Sequence, residues 1–130
     1  MESCAACGSS VRYRALVRVL SLGLFGESLP LPRYPHRPDL TGVGFSDWEP
    51  FAERLAARLG HVNTYLHREP ELDLTSPPAE LAGTMDYVLC SEVLEHVAPP
   101  VERAVEACFQ LLKPGGLLVL TVPYTFEAET

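Results

Sequence analysis

The chain has 130 residues, 47% of them hydrophobic and 21% charged, with a formal net charge of -7. That is the size of one domain, able to hide roughly two-thirds of its unfolded surface. The acidic balance argues against a protein that coats nucleic acid, which needs a basic face to displace counterions, and no apolar run reaches the roughly 20 residues of a membrane span.

Residues 1–10 form a cysteine-bearing lead-in, and 11–130 read as one α/β domain. Met1-Glu2-Ser3 lacks the basic start and apolar core of a leader, so a cytoplasmic chain with reduced thiols is expected. Leu16, Val17, Leu20 and Leu24 recur near the helical period, which predicts a helix over 11–24 ended by Gly26. Four prolines between Ser28 and Asp39 predict an extended loop. Leu40 to Phe45 reads as a short strand. Ser46 or Asp47 then caps a helix over 48–59, stopped by Gly60. Val62 to Leu66 reads as a strand, Glu69 to Gly83 as loop, and Asp86 to Cys90 as a strand. A short helical segment follows over 93–97. An amphipathic helix runs from Val101 to Leu112, with Val101, Val105, Cys108 and Leu112 on one stripe. Lys113 to Gly116 is a turn, and Leu117 to Val122 the last strand. Short apolar strands without polar alternation imply a sheet covered on both faces. Strand–helix–strand crossovers make it parallel and right-handed.

Two stretches resemble a known family. Asp86-Tyr87-Val88-Leu89-Cys90-Ser91-Glu92-Val93-Leu94-Glu95-His96-Val97 resembles the fourth-strand motif of class I S-adenosylmethionine-dependent methyltransferases. Leu111-Leu112-Lys113-Pro114-Gly115-Gly116-Leu117-Leu118-Val119-Leu120-Thr121-Val122-Pro123 resembles their helix-to-fifth-strand motif. Leu72-Asp73-Leu74 is similar to their third-strand end. The resemblance covers about residues 40 to 125. It implies a Rossmann-like parallel sheet of the class I methyltransferase type, here incomplete, with S-adenosylmethionine as cofactor.

The departures are specific. No glycine-rich loop stands upstream of residue 40, although Gly42-Val43-Gly44 is a candidate remnant. The spacing to Asp86 matches Gly44 to the end of the family's second strand, where an acidic residue usually holds the ribose. Asp47 is the candidate substitute. The closing hairpin after the fifth strand is absent, so the sequence reads as a truncated or degenerate member.

The resemblance and the strand ends together name the candidate residues. Gly44, Asp47, Asp73, Leu74, Cys90 and Ser91 are expected at the cofactor, with Asp73 accepting from the adenine amine and Cys90-Ser91 offering backbone. Glu92, Glu95 and His96 form Glu-x-x-Glu-His, three residues that share one helical face. The pattern resembles the metal-binding motif of ubiquinone-biosynthesis O-methyltransferases and of small-RNA 2′-O-methyltransferases. It leaves three readings open: a site for Mg or Zn, a metal-free substrate side on which His96 or Glu92 takes a proton from the acceptor, or a plain structural role. Cys4-Ala5-Ala6-Cys7 resembles the second knuckle of a zinc ribbon. Two thiolates need two more ligands, from His36, His61, His67 or a second chain. Arg12, Arg14 and Arg18 read as a solvated helix face, and Trp48 and Tyr65 as core.

The expected function is methyl transfer from S-adenosylmethionine to a small acceptor, without nucleic acid or membrane as partner. A homodimer covering the sheet edges is also expected. The alternative is a silent methyltransferase-like module that binds partners or joins an assembly.

Overall fold

The computed structural model describes residues 11–74, 76–91 and 101–121. Three helices and four strands alternate along them: α1 (Val11–Phe25), β1 (Arg37–Phe45), α2 (Glu49–Ala56), β2 (Leu59–Thr64), β3 (Met85–Ser91), α3 (Val101–Leu111) and β4 (Leu112–Thr121). The strands form one sheet in the order β2-β1-β3-β4, and every pairing is parallel. The Rossmann-like α/β arrangement with a parallel sheet expected from the sequence is therefore present among the described residues.

Most elements follow from their residues. The apolar stretch Tyr87-Val88-Leu89-Cys90 is fully buried, as a central parallel strand covered on both faces must be. Gly26 adopts φ +78° and closes α1, its amide donating to the Leu22 carbonyl at 3.1 Å. The proline-rich loop is pinned to α1. Ser21 Oγ accepts from the Leu29 amide at 2.9 Å, and Tyr34 donates its hydroxyl to the Val17 carbonyl at 2.6 Å. The loop also holds a single 3-10 turn, Leu31–Arg33.

Several boundaries differ from expectation: β1 starts at Arg37 rather than Leu40, and β4 starts at Leu112, so the expected turn Lys113 to Gly116 lies within a strand. α2 ends at Ala56, and β2 starts at Leu59 rather than Val62. Neither Ser46 nor Asp47 caps α2. Trp48 holds the cap position without a side-chain hydrogen bond, and Pro50 in the first turn fixes the entry. α3 buries Ala104, Ala107, Cys108 and Leu111, while Val105 is half-buried and Leu112 already belongs to β4. Leu72-Asp73-Leu74 forms no strand. A single parallel bridge, Tyr65 to Glu71, stands where a third strand would flank β2.

Two apolar layers sandwich the sheet. On one face, Tyr13, Leu16 and Leu20 of α1 and Phe51 and Leu55 of α2 pack with Tyr87, Leu89 and Val119. On the other, Ala104, Cys108 and Leu111 of α3 pack with Val43, Phe45, Val88 and Cys90. Burying each such large side chain stabilises the fold by about 1.5–3 kcal/mol. The thiols of Cys90 and Cys108 meet in this second layer, where hydrogen bonding from Cys90 holds the Cys108 thiol below its ordinary range.

The strand order corrects one reading. From β1 the chain steps outward to β2, then crosses back over β1 to β3 and on to β4. β1 is thus the innermost first strand, not a second one. In a doubly wound sheet the turn after that strand carries the phosphate-side glycines. Gly44 therefore stands one residue before the end of the first strand, and Gly42-Val43-Gly44-Phe45-Ser46-Asp47 spans that strand end and the turn after it, the place of the glycine-rich segment.

Candidate functional site

The ladders of the sheet are unequal. β1 and β2 stay paired to Phe45 and Thr64, and β3 and β4 to Ser91 and Thr121. Between β1 and β3 the pairing holds only at Gly42 with Tyr87 and Val43 with Val88. Beyond Val43 and Val88 no pairing joins β1 to β3, although both strands run on. This break in the pairing lies at the topological switch point, the place where open α/β sheets take ligands.

The β1–α2 turn forms one wall. Ser46 adopts φ +53°, a left-handed conformation that L-residues other than Asn and Asp rarely take. Its amide donates to the Thr64 carbonyl at 2.7 Å, and Thr64 Oγ1 donates to the Gly44 carbonyl at 2.7 Å. Asn63 clasps Asp47: its Oδ1 accepts from the Asp47 amide and its Nδ2 donates to the Asp47 carbonyl, both at 3.0 Å. The strained turn is thus held from β2 by four hydrogen bonds.

Glycine at two positions opens the space beneath the turn. A Cβ on Gly42 would lie 2.2 Å from the Tyr87 ring, and one on Gly44 would lie 2.3 Å from Asp47 Oδ2. With Gly42 bare, Tyr87 reaches across β1 and its hydroxyl meets His61 Nδ1 at 2.9 Å. Over Gly44, the same absence admits the Asp47 carboxylate and faces His61 Nε2, 3.3 Å from the missing Cβ. His61 Nε2 is buried and has no hydrogen-bond partner among the described residues. Burial lowers the His61 pKa to about 4, so the ring is neutral at pH 7.

The second wall is the end of β3. Ser91 is buried, and its Oγ lies 3.2 Å from Thr121 Oγ1. The Cys90 side chain is wholly buried toward α3, so any contact from it to a ligand comes from the backbone. Asp73 is exposed between buried Leu72 and Leu74. Those leucines pack with Phe45 and Cys90, which tie Asp73 to the carboxyl-end half of the α3 side. The Leu74 side chain is core and likewise offers only backbone.

Several expected residues stand elsewhere. Glu92, Glu95, His96, Cys4 and Cys7 lie outside the described residues. Among the described residues, no group of three or more His, Cys, Asp or Glu side chains converges as a metal site. His61, weighed as a zinc ligand, is a core residue bonded to Tyr87. Trp48, expected in the core, is 37% exposed. Among the described residues, a cavity of about 670 Å³ lies between α1 and α2, away from Asp73 and Ser91. Sequence reading missed the His61–Tyr87 pair, because its only signal is two glycines whose neighbours fold in from distant strands.

The sequence comparisons agree with this geometry. The family model described as "Methyltransferase domain" matches residues 27–118. The chain belongs to the methyltransferase domain family. The family implies S-adenosylmethionine as its cofactor. Among curated relatives, the "Ubiquinone biosynthesis O-methyltransferase" of Psychrobacter cryohalolentis is 35% identical over 104 residues, covering 80% of this chain and 40% of that protein. The protein of the same name from Aromatoleum aromaticum is 34% identical over 113 residues, covering 85% of this chain and 46% of its own length. A shorter match, 54% over 43 residues, links it to the Xanthomonas axonopodis pv. citri protein of that name, over 33% of this chain and 18% of that one. The chain thus spans less than half the length of these relatives. No solved structure matches it.

The fit to the family's cofactor is partial: His61 Nε2 is buried without a hydrogen-bond partner among the described residues, but the Asp47 carboxylate fills the space over Gly44, and the leucines beside Asp73 pack on the α3 side of the sheet, opposite the Tyr87 face that His61 joins.

Proposed function

We propose that this chain binds S-adenosylmethionine beyond the last pairing of β1 with β3 and serves methyl transfer to the hydroxyl of a small acceptor. One observation carries the reading: the β1–β3 ladder stops at Val43 and Val88 while its neighbours continue. The O-methyltransferase name of the relatives supports oxygen as the accepting atom.

When bound, the cofactor supplies an electrophilic methyl group on sulfur. The work of the chain is placement. The Phe45–Asp47 turn and the Cys90–Ser91 backbone hold the cofactor, with Asp73 accepting from its exocyclic amine. Fixing donor and acceptor in line accounts for most of the acceleration such a displacement needs. Glu92 follows directly on β3, and Glu92 or His96 takes the hydroxyl proton. Glu95 joins them if Mg or Zn binds, and Cys4 with Cys7 offers two thiolates toward zinc. The chain acts in the cytoplasm on a small molecule, as a homodimer, without nucleic acid. Among the described residues, no helix is long and apolar enough to cross a membrane.

A second reading has its own support. Asp47 stands where the turn would carry its third glycine, which favours a silent binding module. Calorimetric titration with S-adenosylmethionine, with and without Mg, separates the two. Saturable heat at sub-millimolar cofactor is expected. Absence of heat at millimolar cofactor overturns the methyltransferase reading and leaves the silent module.

A further inference from the structure

The clasp of Asn63 on Asp47 works in one orientation of the side-chain amide. Oδ1 must face the Asp47 amide and Nδ2 the Asp47 carbonyl, since the reverse sets donor against donor and oxygen against oxygen. Nδ2 carries a second hydrogen, which it donates to Tyr65 Oη at 3.1 Å. Tyr65 stands just beyond the end of β2. With its oxygen accepting from Asn63, its own proton needs an acceptor on the far side.

Glu49, the first residue of α2, supplies that acceptor. Its Oε2 accepts from the Tyr65 hydroxyl at 3.1 Å. An ionised carboxylate accepts and never donates, so the Tyr65 proton has one direction to point. Arg68 joins from the loop after β2. Its Nη2 donates to the same Oε2 at 2.6 Å, and its guanidinium carbon lies 3.9 Å from the centre of the Tyr65 ring. Arg68 and the Tyr65 hydroxyl hold the Glu49 carboxyl below its ordinary range, so it is charged at pH 7. Both members of this ion pair are exposed, and such a pair adds little stability. What it adds is direction: each hydrogen bond from Asn63 through Tyr65 runs toward Glu49.

We propose that Glu49 is a positioning residue of the β1–α2 turn: by taking the Tyr65 proton it keeps the Asn63 amide turned toward Asp47, and so sets for the cofactor a turn whose Ser46 is left-handed. Glu49 acts through Tyr65 and Asn63, not by contact with the cofactor. The inference rests on the reading that this turn meets S-adenosylmethionine, and one arm of its test uses no cofactor, so the two can fail separately.

Glu49→Lys tests the direction. A lysine only donates, so it turns the Tyr65 proton back on Asn63 and opposes the clasp. Two readouts are taken on the full chain: deuterium exchange of the Asp47 amide by NMR, and the Kd for S-adenosylmethionine by calorimetry. Glu49→Lys should speed the exchange and raise the Kd, each about fivefold, the worth of one hydrogen bond. Glu49→Gln, whose amide oxygen still accepts from Tyr65, should restore most of both. Tyr65→Phe removes the hydroxyl, and Glu49→Lys added to it should change either readout by less than about twofold. Circular dichroism and urea midpoints check that each variant folds. A full Glu49→Lys effect in the Tyr65→Phe background overturns the proposal, because the substitution then acts by charge alone. Unchanged Asp47 exchange in Glu49→Lys overturns it as well, and so does faster exchange with an unchanged Kd. A parent chain without affinity for S-adenosylmethionine sinks the methyltransferase reading and the cofactor half of this one, while the exchange arm still upholds or refutes the hold of Glu49 on the turn.

Discussion

The hydroxyl of Tyr87 and Nδ1 of His61 meet at 2.9 Å across a strand to which neither belongs, their rings stacked within 2° of parallel. β1 runs between them and is bare at Gly42. The pair couples β2 to β3 through side chains, below the point where the β1–β3 pairing stops. Burial raises the Tyr87 hydroxyl far above its ordinary range, so it remains protonated.

Gly42→Ala should therefore disrupt the sheet centre. The new methyl would sit 2.2 Å from an enclosed ring, and overpacking of this kind costs about 1–3 kcal/mol. Tyr87→Phe should cost about 1–3 kcal/mol for a different reason, since it leaves His61 Nδ1 buried and unpaired. Urea unfolding of both variants checks these values. A Gly42→Ala midpoint equal to that of the parent chain would contradict the close approach.

Acid should weaken the fold through His61. Its folded pKa of about 4 lies below its ordinary 6.5. Between those values the unfolded chain takes up a proton that the folded chain refuses. This stability is complete above pH 6.5, falls as pH drops toward 4 and is then spent, amounting to about 3 kcal/mol in all. The comparison to make is parent against His61→Gln from pH 7 to 4. The variant should lose less on acidification, and parallel curves would count against a buried neutral imidazole.

Asp86 holds the lower end of the same seam. Its Oδ2 accepts from the Thr41 amide at 2.9 Å and from Thr41 Oγ1 at 3.2 Å, and Lys113 Nζ lies 3.2 Å from Oδ1. Burial pushes this carboxyl up, but the Thr41 amide and Lys113 outweigh it and leave it below the ordinary range. Asp86→Ala should cost about 1–2 kcal/mol, mostly from the orphaned Thr41 amide. Lys113→Ala should cost under about 1 kcal/mol, because that ion pair is half in solvent. Thermal melts that rank the two in reverse order would mean the ion pair, not the amide, secures the seam.

Asn63 is the means by which β2 shapes the β1–α2 turn. Asn63→Ala removes both hydrogen bonds to Asp47 and releases a turn that keeps Ser46 left-handed. Affinity for S-adenosylmethionine should fall about tenfold, at a stability cost of about 1–2 kcal/mol. Calorimetry beside a urea curve distinguishes these, and unchanged affinity would separate the turn from the cofactor.

Much of this could be read from the residues. The uninterrupted run Tyr87-Val88-Leu89-Cys90 has no reading other than a buried strand, and the glycines and prolines mark turns by removing side chain or donor. The misplaced boundary at β2 has a simple cause. Leu55 and Leu59 stand four apart, the helical spacing, so Leu59 looks like one more turn of α2 when it opens the next strand. Strand order was hidden too, because linear spacing cannot say which side of β1 receives β3. At the site, neither glycine of β1 reveals its purpose locally. Gly42 is bare for a ring from 45 residues downstream and Gly44 for a carboxylate three residues on.

The all-parallel sheet also governs how this molecule must assemble. No two adjacent strands are joined by a hairpin, and the central contact joins Thr41 to Asp86, separated by 45 positions. Each ladder can close only after a long segment has been gathered in, which places the chain among topologies that reach their native state slowly. While it does so, the apolar edge of β3 stands uncovered, so dilute refolding should give higher yields than concentrated refolding.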